Sequence, residues 1–256
     1  MLVAAAVCPA APVLVPEVAQ GAAGELDDCR AACHDVIATV LAKRPDVVVV
    51  VGAGTHTQTL ASGSRGSFEP VGVAVPVRLG QGSDSDRTGH GGTGAEGTDP
   101  GARSPSLPLT VSVGAWLLAQ HPAAAQVSVH GLEVATDEPV PSCLNLGRAL
   151  ADDAAGVALL VVADGTARRG PAAPGYADER SAALDQAWIS SLAEGSLDGL
   201  AALDPDLATV LMMAGRPPLQ VLAGAAQGRR GQSTLVWHGD PYGVQYAVAS
   251  WLRDGR

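Results

Sequence analysis

Two loops of this 256-residue chain carry the side chains best suited to chemistry. In DVVVVVGAGTHT, residues 46–57, a valine run ends in glycines and one imidazole, His56, beside the Thr55 hydroxyl. In VALLVVADGTARR, residues 157–169, a second apolar run ends in the Asp164 carboxyl, followed by Arg168 and Arg169. An imidazole ligates a metal or moves a proton near neutral pH. A carboxyl is a general acid or base, and a guanidinium grips an oxyanion through paired hydrogen bonds. Each has a plainer alternative. His56 then hydrogen-bonds only to backbone, and Asp164 only forms the turn. Arg168, Arg169 and Arg216 then pair at the surface with Asp178 or Glu179.

The elements that must position these groups follow from pattern. Unbroken apolar runs read as strands buried on both faces, as in parallel sheets. Such sheets bind ligands outside the carboxyl ends of their strands. Thr55, His56, Asp164 and Arg168 are therefore the expected lining of one cleft. Residues 2–7 give a further strand, closed by Cys8-Pro9-Ala10-Ala11-Pro12. Leu26, Cys29, Cys33, Ile37 and Val40 recur at helical steps, so residues 25–42 form a helix that Pro45 stops. Strand, helix and valine strand then make a βαβ unit. Residues 71–77 read as an edge strand, 111–120 as a helix, 126–130 as a strand and 142–155 as a helix. Asp178 is a helix N-cap, Asp204-Pro205 opens another helix, and residues 217–226 form one more. Two closing strands, 233–238 and 243–251, pair antiparallel across Gly239-Asp240-Pro241-Tyr242. The expected fold is a single three-layer α/β/α domain over residues 1–256 with a mixed, largely parallel sheet. Residues 80–106 are rich in Gly, Ser and Asp and form a mobile insertion within it, with His90 solvated.

Composition narrows the function. A net charge of −10 with no long basic cluster argues against nucleic-acid binding. No apolar run approaches the roughly 20 residues of a membrane span. Pro9 and Pro12 interrupt the apolar N-terminus, and the four cysteines form no disulfide framework, so a cytoplasmic protein is expected. Cys29-x3-Cys33-His34 lacks the second Cys/His pair of a zinc site. Gly52-Ala53-Gly54 begins like a dinucleotide fingerprint, but Thr57 stands at the third glycine.

The loops in order, Pro9-Ala10-Ala11-Pro12, Gly54-Thr55-His56 and Val161 to Arg169, carry a further signal, joined by Ala173-Pro174-Gly175-Tyr176 and Pro241-Tyr242-Gly243-Val244-Gln245-Tyr246. Together they resemble the LigB-like family of class III extradiol ring-cleavage dioxygenases, within a superfamily that includes the Memo proteins. The resemblance spans the whole chain and implies non-heme Fe(II) held by two histidines and a carboxylate. A further histidine acts there as acid/base. His56 matches the second loop's histidine. The first loop, Pro-His-Pro-Pro in the family, has Ala10 at the ligand position. The third, Gly-Asp-Leu-Ser-His-Arg, keeps Asp164 and Arg168 but has Ala167 for its histidine. Asp240 is the nearest candidate for the carboxylate. A methyl group offers iron no lone pair, so His56 is a vestigial metal ligand on this reading and no cofactor is expected. The chain then binds a small polar or anionic ligand, or a partner subunit, and the resemblance implies a homodimer. The alternative is an active Fe(II) dioxygenase with ligands relocated to His34, His121, His130 or His238.

Overall fold

The computed structural model describes residues 1–81, 106–152 and 156–254. Most of the 80–106 segment, including His90, lies outside them. The valine run forms β2 (Val47–Gly54), after β1 (Leu2–Cys8). The later strands are β3 (Gln58–Leu60), β4 (Arg65–Ser67), β5 (Pro76–Arg78), β6 (Ser128–Ala135), β7 (Val157–Val162), β8 (Gly231–Gly239) and β9 (Tyr246–Arg253). Seven of them make one sheet in the order β3-β6-β2-β7-β1-β9-β8. β6, β2, β7 and β1 run parallel, while β3, β9 and β8 add antiparallel pairings at the two edges. β1 and β2 are parallel, as a βαβ unit requires, but β7 is inserted between them.

Both faces of β1, β2 and β7 are buried, and the side chains divide by period two. Val49 and Val51 enter one core, Val48 and Val50 the other. The first core lies under α4 (Val140–Asp152), α5 (Arg180–Glu194) and α8 (Arg216–Ala226). The second lies under α2 (Asp27–Leu41) and α3 (Leu109–Ala119). Among the described residues there are also three short α-helices, α1 (Pro16–Ala19), α6 (Asp198–Ala201) and α7 (Pro205–Val210). This is the three-layer α/β/α arrangement with a mixed, mostly parallel sheet. α2 opens with Asp27 and Asp28 in its positive first turn and buries Cys29, Cys33, Val36, Ile37 and Val40. No helix among the described residues is long and apolar enough to cross a membrane.

Several boundaries differ from expectation for definite reasons. Residues 71–77 are not an edge strand of the main sheet. A turn over Glu69–Val71 ends at Gly72 in the left-handed region, and β5 then pairs only with β4 in a separate ribbon. β6 continues past residue 130 to Ala135, through Gly131 and a buried Glu133 that weaken a strand pattern. Asp178 lies just before α5, where its Oδ1 accepts from Arg180 N at 3.0 Å. Asp204 does cap α7, accepting from Leu207 N at 2.8 Å.

α4 and α8 cross almost backbone to backbone. A β-carbon added at Gly147 would lie 2.0 Å from Val221 O, and one at Gly224 would lie 2.2 Å from Leu144 O. Neither neighbour is a flexible side-chain end, so the helices would have to separate. Gly147→Ala is therefore expected to cost about 2 kcal/mol, within the usual range for overpacking. Urea denaturation reads it directly, and an unchanged midpoint contradicts the close crossing.

Candidate functional site

The loops at the carboxyl ends of β2 and β7 are fixed by two buried carboxyls that do not themselves line the cleft. The first is Asp185, on α5. It accepts from Thr166 N at 2.9 Å, Thr166 Oγ1 at 2.6 Å and Trp188 Nε1 at 3.1 Å. Arg169 Nε lies 3.8 Å from its other side and 2.9 Å from Asp240 Oδ2. Burial raises the Asp185 pKa, against these hydrogen bonds, which lower it. The backbone completes the clamp: Gly165 N donates to Gln245 O at 2.7 Å and Gln245 N to Thr166 O at 3.0 Å. The C-terminal turn is longer than the four residues expected. Gln245 occupies it, with its amide donating to Gly239 O and Tyr246 O.

The second carboxyl is Glu133 on β6. It accepts from Thr55 N at 2.8 Å, His56 N at 3.1 Å and Gln58 Nε2 at 2.7 Å. A β-carbon at Gly54 would lie 2.1 Å from Glu133 Oε1, and one at Gly52 would lie 2.6 Å from Thr110 Oγ1. The two glycines thus make room for side chains from β6 and α3. They are not a phosphate-binding turn.

Asp164 follows β7 and is held by Ala10 N, which donates to its Oδ1 at 2.7 Å. Burial pushes the carboxyl up to about 7, and the Ala10 bond only partly offsets this. A cavity of about 300 Å³ opens beside it, walled by Pro12, Val13, Met212 and Val244. Tyr246 and Tyr242 also line it. The Tyr242 hydroxyl is buried and makes no hydrogen bond of good geometry among the described residues. Burial and the nearby Glu25 carboxylate raise its pKa. Burial, with Asp164 nearby, raises the Tyr246 pKa.

Of the four residues expected to share one cleft, only Asp164 lines this cavity. Thr55 and His56 stand on the neighbouring strand end, held by Glu133, with Thr55 Oγ1 2.9 Å from His56 Nδ1. Arg168 is spent on carbonyls, donating to Tyr176 O at 2.8 Å and Val210 O at 3.0 Å. Neither Arg168 nor Arg169 pairs with Asp178, which binds Arg180 instead. Arg216 is buried and donates to Gln220 and to the Thr136 and Glu138 carbonyls, so it is not a surface charge. Asp240 is engaged by Arg169. Among the described residues the other histidines do not gather around His56: His34 Nδ1 faces His121 Nε2 at 3.2 Å, His130 faces Ser128, and His238 lies on β8. Among the described residues no three His, Cys, Asp or Glu side chains form a metal-binding group. Sequence pattern alone misses Asp185, Glu133 and the two tyrosines. An acid inside an otherwise apolar strand (Glu133) and one beside Leu184 on a buried helix face (Asp185) are the signals that could have found the first two.

No protein-family model matches the chain, and no curated protein matches it. Among solved structures, it is similar to the crystal structure of the uncharacterised protein JW3007 from Escherichia coli K12. The TM-score is 0.50 at 15% identity, covering 98% of this chain and 99% of that one. At this identity the likeness shows the fold alone.

The raised Asp164 pKa gives a signed prediction. In the fold Asp164 keeps its proton up to about 7, against an ordinary value of 3.8. The folded chain therefore binds the extra proton between those values, and Asp164 subtracts stability as pH rises through that window. Asp164→Asn should remove this loss, so the stability difference between variant and wild type moves in the variant's favour from pH 4 to pH 8. Denaturant midpoints across that range measure it; a difference independent of pH contradicts the buried carboxyl.

Proposed function

We propose that the chain is a LigB-like scaffold whose strand-end cleft binds a small molecule through Asp164 without iron. One observation carries this reading. At the two loop positions where the resemblance expects histidines, Ala167 puts a methyl on the cavity wall and Ala10 supplies only a backbone N–H to Asp164. The cleft is thus an apolar cavity with one carboxyl that changes charge near neutral pH and two tyrosines. Such a site favours a compact ligand with an apolar body and a hydroxyl or amine for Asp164. An anionic ligand is less suited, because Arg168 is committed to backbone carbonyls. Asp164 can accept a proton from the ligand or donate one to it, since both protonation states are populated near pH 7.

The rival reading is an active Fe(II) extradiol dioxygenase with relocated ligands, and anaerobic iron loading separates the two. Without an iron site, iron should stay far below one equivalent and be unaffected by His56→Ala. Catechol should bind saturably, as followed by ligand-observed NMR, with no oxygen uptake. Asp164→Asn should weaken catechol at least about ten-fold, the loss of one charge-assisted hydrogen bond. Iron near one equivalent, lost in His56→Ala and accompanied by oxygen consumption with catechol, overturns the proposal.

A further inference from the structure

A second cavity, of about 900 Å³, lies between the β4–β5 ribbon, the C-terminal half of α3 and the start of β6. It shares no lining residue with the Asp164 cleft. Two guanidiniums stand on it. Arg65 and Arg78 are Cα partners in the antiparallel ribbon, so their side chains leave the same face of the ribbon directly opposite each other. Both are exposed, both line the cavity, and neither guanidinium has a hydrogen bond or carboxylate partner among the described residues.

That arrangement is costly in a chain with acid to spare. Like charges directly opposite on a strand pair destabilise it. The net charge is −10, yet no acidic side chain among the described residues answers this pair. The ribbon nevertheless stays fixed. Leu107 N donates to Arg65 O at 2.9 Å and Leu79 N to Ser64 O at 2.9 Å, while Phe68 beyond β4 is fully buried. The two cations are therefore presented from an anchored platform.

The rest of the lining is mostly apolar. Trp116 is half-buried, and Leu118 and Val129 are buried. Gln81, Gln120 and His121 add polar groups; His121 Nε2 is paired with His34 Nδ1, and the His121 pKa is lowered by burial and by His34. His121 Nδ1 makes no hydrogen bond among the described residues.

We infer that this cavity is a binding site for a small organic oxyanion, a carboxylate or phosphate ester on a planar apolar body, shared by Arg65 and Arg78 and walled by Trp116. An oxyanion between the guanidiniums replaces their repulsion with charge-assisted hydrogen bonds, which a guanidinium makes in pairs. The Trp116, Leu118 and Val129 wall is what an inorganic ion would leave uncovered.

Calorimetric titration of the full chain at low salt tests it, with benzoate, phenyl phosphate, inorganic phosphate and neutral benzamide as probes. Benzoate or phenyl phosphate should bind saturably with one site, and the tighter of the two identifies the anionic group. Benzamide should show no binding that the Arg65→Gln/Arg78→Gln double variant removes. Arg65→Gln and Arg78→Gln should each weaken binding at least about ten-fold, and Arg78→Lys less than Arg78→Gln. Both arginines are exposed, so the variants should keep the wild-type circular dichroism spectrum. Absence of saturable binding for both aromatic anions overturns the inference. So does equal affinity in the Arg65→Gln/Arg78→Gln double variant, or inorganic phosphate binding as tightly as phenyl phosphate. None of these outcomes bears on the Asp164 cleft.

Discussion

Three donors converge on one buried carboxyl. Asp185 takes the Thr166 amide, the Thr166 hydroxyl and the Trp188 indole N–H, and so ties the loop after β7 to helix α5. Hydrogen bonds to a charged acceptor contribute about 1.5–3 kcal/mol each, and the donors would be left buried and unpaired without it. Thr166 stands two residues from Asp164, so the placement of Asp164 in its cavity depends on that clamp. Gln245 closes the same loop from the C-terminal side, which brings Tyr242 and Tyr246 to the cavity.

The cleft and the histidine loop are consequently separate constructions. Glu133 fixes Thr55 and His56 by their backbone amides, one strand over, without bringing an imidazole to Asp164. Each strand end has its own buried acid as an organiser: Glu133 lies 78 residues from Thr55, and Asp185 lies on the next helix, 19 residues from Thr166. The loops are held from behind, through backbone, and the residues facing the cavity are free to differ.

The sheet is legible in the sequence because its central strands are buried on both sides. The valine run and residues 157–162 admit no polar side chain, and these two strands lie side by side near the sheet centre. α2 is legible from its spacing, and α7 from Asp204-Pro205. β6 is less so, because Gly131 and Glu133 break the apolar pattern: Gly131 leaves room for Leu79 and Leu60, and Glu133 accepts from the loop after β2. The order of strands is legible only where the closing strands β8 and β9 pair; the insertion of β7 between β1 and β2 is a long-range pairing that no local pattern encodes. At the site, Asp164 is legible as an acid at a strand end. Asp185, Tyr242 and Tyr246 are not, since their roles arise only when α5 and the C-terminal turn fold against the β7 loop. Arg168 shows the opposite failure, a residue type suited to anions that packing commits to carbonyls.

The coupling between the Asp185 clamp and the Asp164 carboxyl is central to the cleft, and one titration addresses it. Carbon-detected NMR can follow the Asp164 carboxyl in the wild type and in Asp185→Asn. The wild-type midpoint is expected near 7. It should fall toward the ordinary carboxyl range in the variant, where the loosened loop admits water. A wild-type midpoint near 4, or one that Asp185→Asn leaves unmoved, would contradict that coupling.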